Sequence, residues 1–141
     1  MQANLSAEIS ITPFRFKYLP MLLDMLESRQ YMSLSEINMK TLPKLGYIAL
    51  LNGKQPVAAG FLRRVEGGYA QLDGLTSNPY FGSQIRHEGI KLVVDHLIDA
   101  AKQLKINGIM AFTADKGVLD RAAGLGFVKV EQQLIALRIK E

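Results

Sequence analysis

The chain has 141 residues, of which 48% are hydrophobic and 21% charged, enough to bury a core of its own without disulfides or metal. It contains no cysteine, which excludes disulfides, thiolate-bound zinc, iron–sulfur clusters and a thiol nucleophile. The formal net charge of +4 favours acidic partners, and a phosphate-bearing small molecule satisfies it as well as nucleic acid does.

Other function classes fall away in the same pass. His87 and His96 have no third partner near them in the sequence, so no metal site is expected. No basic segment followed by an apolar run opens the sequence, and no stretch reaches membrane-spanning length; a soluble, cytoplasmic protein is the expectation. Lys and Arg do not cluster with aromatics, so nucleic acid is not expected as a partner. Residues 1–141 read as a single domain, loose only over Met1 to Ser6.

In chain order, Glu8 to Phe14 alternates with Ile9 and Ile11 on one side and predicts a strand ending at Pro13. Leu19, Leu22, Leu23 and Leu26 then fall at helical spacing, with Pro20 tolerated in the first turn. A second short helix is expected over Ser33 to Leu42, capped by Ser33 or Ser35 and supported by Glu36. From Gly46 the period changes to two. Turn signals at Asn52-Gly53 and Gly67-Gly68 predict a meander of three strands, about Tyr47 to Leu51, Val57 to Val65 and Tyr69 to Thr76.

After Asn78-Pro79, the residues Ile90, Val93, Val94, Leu97, Ala101 and Leu104 form the apolar stripe of a long helix packed on a sheet. Gly108 to Thr113 predicts a short buried strand. Asp115 to Phe127 predicts a helix closed by glycine, and Gln132 to Lys140 a last strand. A helix crossing between neighbouring strands requires a parallel pair inside a mixed sheet. The fold class is therefore α/β or α+β, with one central, mostly antiparallel sheet flanked by helices.

This order, with Arg86-His87-Glu88-Gly89-Ile90-Lys91 at the long helix and "RAAGLGF" at the last one, resembles the GNAT (GCN5-related) N-acetyltransferase superfamily. The likeness spans the chain from Glu8 to the last strand, and the terse loops resemble small phage-encoded members, which would place the protein in a host cytoplasm. The family motif reads [RQ]-x-x-G-x-[GA]; Arg86 and Gly89 match it, and Lys91 stands where a small residue is usual. The resemblance implies acetyl-CoA as cofactor. Its pyrophosphate would lie among main-chain N–H groups at the helix start, over Arg86, His87, Glu88, Gly89, Ile90 and Lys91, with help from the helix dipole. The backbone of Leu75, Thr76 and Ser77 would pair with the pantetheine amides. The plain alternative for Arg86, His87 and Gly89 is a solvated helix start whose glycine eases a turn.

The same resemblance implies direct attack of a primary amine, on a small molecule or a protein, upon the thioester. Tyr69, Gln71 and Asp73 share one strand face, and Asp73 is the candidate base; a solvent-facing strand residue is its alternative. The tyrosine that protonates the departing thiolate in the family is replaced by Ala122, leaving Tyr80, Tyr69 or water to substitute. A catalytically inactive binding or regulatory protein on the same fold therefore stands beside the enzyme reading, and the fold is also compatible with a homodimer.

Overall fold

The computed structural model describes residues 8–27, 38–112, 116–130 and 137. The chain forms two compact units, Met1–Ala111 and Phe112–Glu141.

The first unit is built on one sheet. Its strands are β1 (Ile9–Pro13), β2 (Leu45–Leu51), β3 (Gln55–Val65), β4 (Tyr69–Ser77) and β5 (Gly108–Met110), in spatial order β1-β2-β3-β4-β5. The first three pairings are antiparallel and β4–β5 is parallel, the mixed sheet that the crossover requires. Local chemistry sets the turns. Asn52 and Gly53 both take positive φ, 53° and 72°, and Lys54 N–H donates to Leu51 O at 3.0 Å. This is the backbone geometry that suits a tight hairpin, and asparagine and glycine tolerate it best. Asn52 also ties that turn to Glu8 through both its main chain and its side chain.

Helix α1 (Leu19–Glu27) follows a single 3-10 turn, Phe16–Tyr18, with Pro20 in its first turn as the spacing predicts. It buries Leu22, Met25 and Leu26 against Ile48, Leu50, Ala59 and Phe61 on one sheet face. Helix α2 (Ser83–Gln103) covers the other face, where Val93, Leu97 and Ala101 meet Ala49, Val57, Ala58, Leu62 and Ala70. Each large aliphatic or aromatic side chain buried this way stabilises the fold by roughly 1.5–3 kcal/mol. At its end Lys105 takes a left-handed φ of 59°. Ile106 N–H reaches back to Ala101 O and Lys105 N–H to Lys102 O, a closure that satisfies the last carbonyls.

Two expectations need correction or restriction. Of the second short helix, Ser33, Ser35 and Glu36 lie outside the described residues, and Asn38 to Leu42 is a turn rather than helix. The Asn38 side chain accepts from Lys40 N–H (2.8 Å) and Thr41 N–H (3.3 Å), while Thr41 Oγ1 accepts from Asn38 N–H (3.0 Å). Such local side-chain bonds offer the backbone an alternative to helix. The last strand, Gln132 to Lys140, lies outside the described residues except for Leu137.

In the second unit, α3 (Lys116–Gly124) ends as expected at glycine. Gly126 has φ 95°, and Phe127 N–H bonds Ala122 O while Gly126 N–H bonds Ala123 O, the left-handed cap that favours glycine at this position.

Candidate functional site: the outer half of β4 and the start of α2

Among the described residues, strand β4 is paired on both edges only at its beginning. Its register with β5 runs Tyr69↔Gly108, Ala70↔Ile109 and Gln71↔Met110 and then stops, although β4 itself continues to Ser77. Among the described residues, no strand pairs with the outer edge of Leu72 to Ser77.

On its inner edge the same stretch carries a bulge. Ala59 pairs with Thr76 and Phe61 with Asp73, so β4 holds one residue more than β3 between those pairs. Gly74, at φ 60°, fits the extra position, since glycine tolerates that conformation best. The bulge changes which side chains share a face. Ala59 and Phe61 both belong to the α1-side core, so their partners Thr76 and Asp73 also face the α1 side. Strict alternation, which would put Asp73 and Leu75 together, holds only up to Asp73. Leu75 instead packs with the α2-side core.

Asp73 is engaged rather than free. Its Oδ2 accepts from Arg63 Nε at 2.9 Å, and the Arg63 Nη2 donates to Thr41 O, also at 2.9 Å. In the sheet register Arg63 opposes Gln71 and Phe61 opposes Asp73, so Arg63 and Asp73 form a diagonal cross-strand pair of opposite charge, within reach for long side chains. Oδ1 of Asp73 has no protein hydrogen bond among the described residues. The pair is partly exposed, so its own contribution to stability is small, about 0.2–1 kcal/mol.

Beyond β4, Asn78 organises a short loop. Its N–H and side-chain amide bind Val57 O and Pro56 O, each at 2.8 Å, and its Oδ1 accepts from Tyr80 N–H at 3.0 Å. Tyr80 is 82% exposed and its ring meets Phe81 edge-on, with centroids 5.5 Å apart. Helix α2 begins directly afterwards, with Gly82 as its extended N-cap residue and no side-chain cap.

This start lies one turn before the stretch in which the cradle is expected. The first intrahelical bond runs from Arg86 N–H to Gly82 O at 3.1 Å, so the main-chain donors of Arg86, His87, Glu88, Gly89, Ile90 and Lys91 are spent within the helix. The free donors are one turn earlier, at Ser83, Gln84 and Ile85. The helix is already formed from Ser83, ahead of the Arg86 to Lys91 stretch in which the resemblance would seat the pyrophosphate.

Gly89 has a packing reason. It is buried, and a Cβ there would collide with Val57 Cγ1 and come within 3.3 Å of Ala58 Cβ, so the glycine lets α2 lie close on β3 and neither eases a turn nor makes room for a phosphate. Lys91 pairs with Asp95 at 2.9 Å along the exposed side of the helix. His87 and Glu88 are exposed. Arg86 is half-buried, and its Nε is sealed from solvent without a hydrogen-bond partner. The Thr76 hydroxyl is the other buried side-chain polar atom lacking a partner among the described residues. Both flank the segment that joins the outer half of β4 to the helix start.

Sequence reasoning missed Arg63, Thr41 and the donors at Ser83 to Ile85. Arg63 was readable only with the register known, but Gly82-Ser83 after Asn78-Pro79 is an ordinary helix-start signal.

No known family's sequence profile matches the chain, and no curated protein matches it in sequence. Solved structures do match in fold. A GNAT-family acetyltransferase from Staphylococcus aureus superposes with a TM-score of 0.73 at 18% identity, over 89% of this chain and 87% of that one. A Mycobacterium tuberculosis protein crystallised with CoA gives 0.72 at 14% identity, over 90% and 76%. An aminoglycoside N-acetyltransferase in complex with CoA gives 0.69 at 13% identity, over 99% and 100%. The mixed sheet with its flanking helices is therefore the fold of the GNAT acetyltransferases.

Proposed function

We propose that, on this fold, the chain binds acetyl-CoA and transfers its acetyl group to a primary amine, with residues 1–141 acting as one domain. The observation that carries the reading is the continuity of a strand edge, Leu72 to Thr76, with which no strand pairs among the described residues, with the unspent N–H groups at the start of α2. A strand edge offers alternating donors and acceptors to the amides of a pantetheine arm. A helix N-terminus offers N–H groups and positive potential to a pyrophosphate. That two of the fold's solved examples hold CoA supports the same ligand here.

The residues present fit such a guest. Leu75, Thr76 and Ser77 would hold the arm through their main chain, and the orphaned Thr76 hydroxyl would gain a partner. Ser83, Gln84 and Ile85 would hold the phosphates, with the Arg86 guanidinium beside them. Bound acetyl-CoA would supply the acetyl group as a thioester.

Asp73, on the α1-side face, takes a proton from the attacking amine at Oδ1 while Oδ2 stays bonded to Arg63. Tyr80, exposed just before the helix start, or a water would supply the proton that the departing thiolate needs. Calorimetric titration with acetyl-CoA, followed by thiol release with a panel of amines, tests the reading. Micromolar binding with amine-dependent release is expected; no binding at millimolar ligand would contradict it. Binding without release would instead select the inactive, CoA-binding alternative, which the replacement by Ala122 favours.

A further inference from the structure

Resting on that reading, we infer that Arg63 is a positioning residue for acetyl transfer. One guanidinium joins three chain segments on the α1-side face: its own strand β3, the Asp73 carboxylate on β4, and the turn that precedes β2. The two bonds leave from different nitrogens, Nε to Asp73 Oδ2 and Nη2 to Thr41 O, each at 2.9 Å. A planar fork can hold both at once, whereas an ammonium is a single point donor.

The turn it holds is also bonded within itself. Thr41 and Leu42 N–H both bond to Asn38 O at 3.0 Å, Thr41 Oγ1 donates to the same oxygen at 3.1 Å, and Leu42 packs against the α1-side core. Arg63 therefore fixes the rotamer of the proposed base and, through the same group, anchors the turn on the base's side of the sheet. An amine approaching Asp73 Oδ1 meets a carboxylate that is already oriented. The exposed pair adds little stability, so its effect belongs in the chemistry rather than the melting temperature.

The test compares wild type with Arg63→Ala, Arg63→Lys, Asp73→Ala and the Arg63→Ala/Asp73→Ala double variant, using spermidine, glycylglycine and a lysine-containing peptide as acceptors. Arg63→Ala should lower kcat about tenfold and leave acetyl-CoA affinity unchanged. In the ligand-free protein it should speed amide exchange at Thr41 and Leu42 about tenfold. Arg63→Lys should recover only a minor part of the lost rate, and the double variant should be no slower than Asp73→Ala alone.

A kcat for Arg63→Ala within twofold of wild type would overturn the inference, whether or not exchange changes. So would losses that simply multiply in the double variant. If wild type neither binds nor turns over acetyl-CoA, the functional reading fails and this role fails with it. If wild type is active, Arg63→Ala decides the inference alone.

Discussion

The two faces of the sheet are built from the same strands but to different standards. On the α2 side the contacts are apolar and close: Gly60 and Gly89 let strand and helix backbones approach, and Val57, Ala58, Leu62, Val93 and Leu97 fill the space between them. On the α1 side a comparable apolar cluster around Phe61 gives way, along β4, to Asp73, the Arg63 fork and the orphaned Thr76 hydroxyl. One face is optimised for packing, while the other keeps polar groups that packing does not require. Buried polar atoms without partners cost about 1–3 kcal/mol each, which fits the proposed site on the α1 side and at the strand edge.

The largest effect is expected where the packing is tightest. Gly89→Trp should abolish the cooperative melt, because even a Cβ at that position collides with Val57 and an indole cannot be accommodated between α2 and β3. A folded variant that had merely lost CoA binding would instead mean that Gly89 faces the cofactor. On the other face, Asp73→Ala should lower kcat roughly a hundredfold. Its melting temperature should stay near that of wild type, since the pair it removes is partly exposed. Equal losses of rate and of acetyl-CoA affinity would remove Asp73 from the role of base.

Ser83→Pro sharpens the account of the helix start. Proline suits the first helical position, and Gly82, at φ −66° and ψ 167°, has the extended geometry that a residue before proline needs. The substitution deletes one unspent N–H and should weaken CoA binding roughly tenfold with no loss of stability. The smallest effect is expected for Thr76→Val, which removes an orphaned hydroxyl while keeping the shape. Thermal stability should hold or rise, and acetyl-CoA affinity should fall about three- to tenfold.

Much of the fold could be read from the sequence because it rests on local rules. The meander follows from period-two apolar runs punctuated by Asn52-Gly53 and Gly67-Gly68, and α2 follows from the stripe of Ile90, Val93, Leu97 and Ala101. The site was less legible because its decisive features are not local. The bulge at Gly74 appears only once β3 and β4 are in register, and it puts Thr76 rather than Leu75 on the face of Asp73. Arg63 meets Asp73 diagonally across strands and Thr41 across 22 residues of chain. The motif-like Arg86 to Lys91 stretch drew attention to a glycine that serves helix–sheet packing, while the unspent donors sit one turn earlier in residues of no special chemistry. Backbone donors leave little trace in side-chain identity, and this limited how far sequence reasoning could go.

In the proposed function, the outer edge of β4 and the first turn of α2 together hold coenzyme A. Titrating the isotopically labelled protein with CoA and following its backbone amides tests this most directly. Saturable shifts are expected at Leu75, Thr76, Ser77, Ser83, Gln84 and Ile85, with the middle of α2 around Lys91 to Leu97 unmoved. Absence of shifts at millimolar CoA, or shifts confined to another surface, would contradict it.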